Sequence, residues 1–598
     1  MEYLQAKLMA PGKVSVSNAP DGVDALVIAE AVGKSQEPVV YLVRDDSHAA
    51  RLAQLVGFMR PGTRILNLPA WDCLPYDRVS PNADILAQRL ATLCRVAAGE
   101  PFDLVLITVN AALQRVLPKE RLRSAALIAK KSQKVDHKNL FEYLEQNGYQ
   151  RTGTVREAGE YAVRGGIIDL FPAGYENPVR LDFFDEELDV IRIFDAVSQR
   201  TIGELEEIQL IPVSEVLLTS DSIARFRKNY RENFGANNQD DLLYEAISEG
   251  RRFAGMEHWL PFFEESLNPV LDYFPASPVI FDDHALEAFD ARWEAVQDYF
   301  DARLQMYEAH SRGKAKVNSD GVVYKPAPLD SLYIGKEEWS KLLENRPVVE
   351  LSSFSLPDDL SSVSVLDAGG KRVTDFAVHR NNPDENIFDA VQQRLQGHKN
   401  NITLITAYSE GARERLTNLL SDHGLGGLNS VSNWAEVIGL KKGQVAIAVA
   451  ELERGFRFDN VIVYTEQDIL GERLARAPRK KRRRGEEFIS EASALELNDL
   501  VVHVDHGIGR YDGLETVNVE GAPHDCVRLI YAGDDKLFVP VENIEVLSRF
   551  GSEDANAQLD KLGGVAWQAR KAKIKERIKI IADKLLKVAA ERFLRKGE

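Results

Sequence analysis

Disulfide chemistry has little to work with in this chain. Its 598 residues carry only three cysteines, Cys73, Cys94 and Cys526, an odd number at wide spacing. They form neither a disulfide framework nor a zinc pattern and suit a reducing cytosol. Long apolar runs are missing too. No stretch approaches the ~20 apolar residues of a membrane span. The opening segment, residues 1–16, lacks the sustained apolar core of a secretory signal. These absences predict a cytoplasmic protein without membrane contact. Positive charge is in deficit, with 74 Lys and Arg against 92 Asp and Glu, a net charge of −18. An acidic surface repels DNA phosphates, so most of the chain should not hold DNA non-specifically. The obvious basic regions are Arg479 to Arg484 and a stretch from Arg570 along a C-terminal amphipathic helix. Each fits a solvated surface as well as a nucleic-acid contact.

Catalytic signatures are sparse. Gly33-Lys34-Ser35 is the nearest approach to a phosphate loop. Such a loop needs a glycine five residues earlier, after a strand and before a helix. Position 28 is Ile28, and Gly33 closes a helical segment that precedes a strand. Asp282-Asp283-His284, after the apolar run Val279 to Phe281, looks like a magnesium-holding strand end. With no phosphate to bind, it reads as a vestigial or loop-exposed pair. His503 and His506 are two histidines without further ligands and read as a strand running into a turn. No GxSxG motif and no nucleophile–base spacing stands out. The chain is expected to carry no catalytic centre and no metal or cofactor site.

What is present is ordinary globular composition, 44% hydrophobic and 28% charged, over a length that suggests roughly three to five domains. In residues 1–124 the apolar runs Val39 to Val43 and Leu104 to Val109 flank a helical segment, Ile85 to Leu93. Runs buried on both faces are the mark of a parallel sheet in an α/β domain. Residues 125–213 change to alternating patterns, Val179 to Asp185 and Asp189 to Asp195, which predict antiparallel strands in a small α+β insert. Residues 214–349 are richer in helix and are expected to return to the first domain. A third small α/β domain is expected over 350–474, with strands at Ile402 to Ile405, Val445 to Val449 and Val461 to Tyr464. A basic linker follows over 475–492. Short strands about ten residues apart predict a small β-barrel over 493–550. Residues 551–598 read as one long basic helix, at whose end the chain stops without a closing domain, as a shortened chain would.

Within the insert, Arg164, Arg180 and Phe184 would project together if their strands expose one face. Arginine beside an aromatic is a common interface composition. The spacing equally fits surface arginines with a core phenylalanine.

Resemblance sharpens this. Gly159-Glu160-Tyr161-Ala162-Val163-Arg164-Gly165-Gly166-Ile167-Ile168-Asp169-Leu170-Phe171-Pro172 resembles the UvrA-binding domain shared by UvrB and the transcription-repair coupling factors. Trp71 to Asp77 with Ser80-Pro81, and Asp468-Ile469-Leu470-Gly471-Glu472-Arg473, look like the first and third domains of the coupling factor family. Leu271 to Pro275 resembles a UvrB segment. His503 to Tyr511 and Lys536 to Val541 are similar to the coupling factors' RNA-polymerase-interacting domain, a barrel shared with CarD-type regulators. Lys561 to Trp567 resembles the start of the helix leading to the family's motor.

The resemblance implies a UvrB-like degenerate RecA-type α/β domain with an α+β insert, a third α/β domain, a CarD/Tudor-like barrel and a long helix. It implies UvrA binding through Arg164, Arg180 and Phe184. It implies RNA polymerase β-subunit binding through Leu514, Glu515, Thr516 and Val517, where Val517 could equally be barrel core. ATP and magnesium, and most contact with double-stranded DNA, are implied for two motor domains that should follow this segment. The family's C-terminal domain, which covers the UvrA-binding surface, is likewise not in this sequence. The expected protein is a monomeric adaptor. A helicase acting by itself and a plain transcription regulator remain as alternatives.

Overall fold

The computed structural model describes residues 12–235, 241–311, 324–344, 346–355, 364–380, 382, 385–471, 500–503, 506–519, 522–540, 547–549 and 559. The chain is a mixed α/β multidomain protein in two compact units, Met1–Ala477 and Pro478–Glu598. The expected basic linker and C-terminal helix lie outside the described residues, apart from residue 559.

The first unit is built on a seven-stranded parallel sheet. Its order is Ser364–Asp367, Gly12–Ser17, Pro347–Leu351, Val279–Phe281, Val39–Val43, Leu104–Thr108, Ile65–Leu68. Every residue of Val39–Val43 and Leu104–Thr108 is buried, because helices cover both faces. Those helices start and stop on local chemistry. Asp45 accepts the His48 N–H to cap Asp46–Met59, and Asn82 caps Ala83–Ala98, which ends on Gly99 in the left-handed region. The sheet differs from expectation at one edge. The boundary expected between 349 and 350 falls inside the strand Pro347–Leu351, and Ser364–Asp367 also joins this sheet. Both pair with Gly12–Ser17, a partner more than 300 residues away that no local pattern announces.

The insert carries a six-stranded sheet in the order Thr201–Leu205, Glu187–Phe194, Val179–Phe184, Ile167–Leu170, Glu160–Arg164, Gln150–Arg151. It is antiparallel except for the last pair. At its base Leu127–Lys130 pairs with Glu207–Leu210. The sheet's inner residues, among them Tyr161, Ile168, Leu170 and Leu181, belong to the same apolar cluster as Trp71, Leu90 and Phe263 of the body. A fully buried ion pair reinforces the join. Arg89 Nε donates to Glu215 Oε1 at 2.6 Å, both side chains at 0% exposure, and Trp71 Nε1 donates to the same oxygen at 3.0 Å. With every polar group paired, the desolvated charges are offset.

The third sheet runs Lys371–Arg372, Phe456–Phe458, Val461–Thr465, Ile402–Ala407, Val445–Val449, Asn429–Ser430, its three central strands parallel. It shares an apolar cluster with the first sheet, in which Val23, Val27 and Leu52 join Trp434, Val437 and Phe456.

The second unit holds a five-stranded antiparallel sheet, Lys536–Pro540, Ala522–Ile530, Gly507–Val519, Leu500–His503, Leu547–Arg549. The strand expected to begin at Gly513 is continuous back to Gly507, with a register shift between Tyr511 and Leu514. No described helix is long and apolar enough to cross a membrane.

Candidate functional site

Three places are candidates for functional chemistry: the outer face of the insert, one strand edge of the second unit, and the C-terminal ends of the first sheet.

On Val179–Phe184 the residues alternate without interruption, because the register shift opposite Asp182 and Phe183 is absorbed by the neighbouring strand. Val179 and Leu181 point into the core, and Phe183 packs against it. Arg180, Asp182 and Phe184 therefore share the outer face. Register carries that face across the sheet. Ala162 lies opposite Asp169, Asp169 opposite Arg180, and Arg180 opposite Arg192. Arg164, two positions on from Ala162, lies on the same face. The structure thus brings Arg164, Arg180 and Phe184 onto one surface. Phe184 is 82% exposed, which removes the core-phenylalanine alternative. Arg164 donates through Nη2 to the Gly153 carbonyl at 2.6 Å and to Thr154 Oγ1 at 3.2 Å.

Arg180 behaves differently from a free surface arginine. Its Nε and Nη2 donate to the two carboxylate oxygens of Asp169 at 2.6 and 2.9 Å, and its guanidinium lies 4.8 Å from the Phe194 ring centre. Asp169 is only 2% exposed. The fork that sequence reasoning offers to a partner carboxylate is already filled from within. A signal was present in the alternation itself, since Asp169 faces outward in the middle of an apolar strand.

The second unit presents Leu514, Glu515, Thr516 and Val517 on the strand Gly507–Val519. One side of this stretch pairs with Ala522–Ile530, setting Leu514 opposite Val527 and Val517 opposite His524. The strand on the other side, Leu500–His503, reaches only as far as Arg510. Among the described residues, the edge from Tyr511 onward has no strand beside it, and the Asp512 carbonyl in that stretch accepts from Arg528 Nη2 at 3.1 Å. Glu515 is exposed and ion-paired with Arg528 at 2.5 Å. The side chains of Leu514, Thr516 and Val517 lie outside what is described.

The first sheet ends in a strand–loop–helix turn at Gly12–Ser17, Asn18 to Gly22 and Val23–Lys34. This is the arrangement of a phosphate loop, earlier in the chain than Gly33, which lies in the last helical turn. Where such a loop presents backbone N–H groups to phosphate, Asp24 supplies its own carboxylate. Its Oδ1 accepts from the N–H of Gly22 at 2.7 Å and of Ala25 at 2.6 Å. Gly22 has φ +89°, and a Cβ there would run into the side chains of Phe456 and Leu452 from the third domain. The expectation of a loop-exposed carboxylate pair fails for Asp282. It is 4% exposed and lies beside His48 and Asp24, a cluster that sequence distance hides. These three side chains have the donor types of a metal site; their environment is taken up below.

Elsewhere the chemistry is quiet. Cys73 Sγ lies 3.8 Å from His258 Nε2. Burial pushes the thiol up to about 12 and the imidazole down to about 3, so neither is charged near neutrality and the pair is no nucleophile–base dyad. The His506 N–H donates to His503 Nδ1 at 3.3 Å, as the end of a strand entering a turn. The Arg479–Arg484 run lies outside the described residues.

Comparison with known proteins follows the same divisions. Residues 127–216 match the UvrB interaction domain, 395–469 the MFD D3 domain, and 495–551 the CarD-like/TRCF RID domain. The chain is 33% identical over 585 residues to the transcription-repair-coupling factor of Escherichia coli (strain K12), covering 96% of this chain and 48% of that protein. Against the Haemophilus influenzae transcription-repair-coupling factor it is 31% identical over 589 residues, 97% of this chain and 49% of the relative. Against that of Bacillus subtilis (strain 168) the figures are 27% over 586 residues, 94% and 47%. The chain spans about half the length of the curated relatives it matches. The resemblance read from the sequence is thus carried by three domain families in the expected order and by similarity along nearly the whole chain.

Proposed function

We propose that this chain is an adaptor of transcription-coupled DNA repair, which holds the RNA polymerase β subunit at one site and recruits UvrA through another. The observation that carries the reading is the outer face of the insert, inside the segment similar to the UvrB interaction domain. An aromatic ring stands 82% exposed there beside two arginines. Burying such a ring in a partner's pocket, with Arg164 exchanging its bonds to Gly153 and Thr154 for a partner carboxylate, gives the anchor-and-clamp composition of a hot spot. Arg180 acts mainly by bracing Asp169 and the strand beneath Phe184.

The polymerase site is the open edge from Leu514 to Val517, in the segment similar to the CarD-like domain. A β-subunit strand would add to that edge by backbone hydrogen bonds, with Val517 as its apolar contact. We take the five-stranded sheet to curl into the small CarD/Tudor-like barrel, and the chain to continue as a long basic helix. The segment acts as a monomer in the cytoplasm. It turns over no nucleotide, because the Asp24 carboxylate and the third domain occupy the place of phosphate. ATP-driven translocation and most DNA contact belong to the half of the relatives that this chain does not span.

Titrating the chain with UvrA and with the β subunit, each alone and then together, tests the reading. Both should bind, and neither should displace the other. Failure to bind either, or ATP hydrolysis by the chain alone, would sink it.

A further inference from the structure

Asp24, His48 and Asp282 are 5%, 4% and 4% exposed. They meet where the helices Val23–Lys34 and Asp46–Met59 start and the strand Val279–Phe281 ends. His48 Nε2 lies 3.2 Å from Asp282 Oδ1 and 3.9 Å from Asp24 Oδ2. The remaining oxygens are engaged. Asp24 Oδ1 holds two backbone N–H groups, and Asp282 Oδ2 faces the Arg44 backbone N–H at 3.3 Å and its Nε at 3.7 Å. The Tyr41 hydroxyl lies 3.4 Å from Asp282 Oδ1.

The donor atoms of these three residues lie within 4.8 Å of one another, a spacing that would suit a metal ion. The far side of the imidazole argues for a different cation. His48 Nδ1 is 3.3 Å from Arg44 Nη2 and 3.4 Å from Arg51 Nη2. A guanidinium can only donate, so Nδ1 accepts and the ring proton sits on Nε2, between the carboxylates. A metal on Nε2 would force that proton onto Nδ1, against two positive groups. Asp21 and Asp45 add negative charge around the cluster, and Arg51 is itself paired with Glu453 of the third domain.

We propose that Asp24, His48 and Asp282 form a proton-held latch that seats the third domain on the first. The mechanical link is short. The Asp24 carboxylate fixes the Gly22 N–H, and Gly22 is the floor on which Phe456 and Leu452 rest. Arg51 joins His48 to Glu453 on the other side. Without the Asp24 proton, two carboxylates face each other out of water, and the loop under the third domain is pushed apart.

The sign follows from the electrostatics. Burial, with the charge of Asp21, raises the Asp24 carboxyl from 3.8 to about 7. Asp24 therefore holds its proton more tightly folded than unfolded. The latch is therefore firmest in acid and is lost as pH rises through neutrality.

Hydrogen exchange on the whole chain, corrected for intrinsic rates, tests this at about pH 6 and about pH 8. Amides of residues 18–26 and 450–458 should exchange about tenfold faster at the higher pH, as expected for about one unit of proton linkage. Asp24→Asn, which keeps the shape without titrating, should remove most of that change, and His48→Gln should reduce it. An unchanged pH response in Asp24→Asn would overturn the proposal. So would protection of these segments by zinc or manganese that is present in the wild type and absent in Asp24→Asn, which would make the cluster a metal site.

Discussion

Replacing Phe184 by alanine should separate recognition from folding more cleanly than any other single change. Its ring is 82% exposed, so the isolated chain loses almost no buried area. Stability should stay within about 0.5 kcal/mol of wild type. In a complex the same ring would be removed from water, a gain of roughly 1.5–3 kcal/mol for a phenylalanine. Truncation of a hot-spot aromatic typically costs about 2 kcal/mol or more, which is about a 30-fold weaker Kd. The assay is a UvrA titration by interferometry, run beside urea unfolding of the same protein preparations. Binding weakened by an order of magnitude or more, with an unmoved unfolding midpoint, fits the geometry. Affinity within about twofold of wild type would refute the assignment of this face, because no other property of the ring could hide so large a loss.

Other outcomes follow from the same structure. Arg180→Ala should lose about 1–3 kcal/mol of stability by leaving the Asp169 carboxylate without its fork, and adding Asp169→Asn should restore part of it in urea unfolding. A loss of UvrA binding in Arg180→Ala alone is therefore not evidence of direct contact, whereas Arg164→Ala should weaken binding without that penalty. Val517→Arg should abolish capture of the β subunit and leave UvrA affinity intact. Circular dichroism checks that the sheet still folds. Glu215→Ala should cost about 3–5 kcal/mol by stranding the Arg89 guanidinium at 0% exposure, and Arg89→Met with Glu215→Leu should recover most of it in thermal unfolding.

Much of the architecture was legible because it is local. Val39–Val43, Leu104–Thr108 and Val445–Val449 announce themselves as apolar runs of strand length, and the burial of both faces is the reason. The alternation along Val179–Phe184 was enough to put Arg180 and Phe184 on one side. What escaped was set by distance along the chain. Pro347–Leu351 and Ser364–Asp367 look like the opening of a new domain, yet their partner is Gly12–Ser17. Asp282 was singled out as the end of an apolar strand, but Asp24 and His48 read as ordinary polar residues until three separate elements bring them beside it. The Arg180–Asp169 pair was missed for a subtler reason. Composition names the arginine, but only register names the acid opposite it.

Beyond a small cluster of Val155, Ala162 and Phe194, the insert shares its apolar core with the body, because the inner side of its sheet is continuous with it. Its consequence is mechanical. A load applied at Phe184 would pass through that shared core toward Trp71 and the Arg89–Glu215 pair, so a cargo hung there should travel with the body.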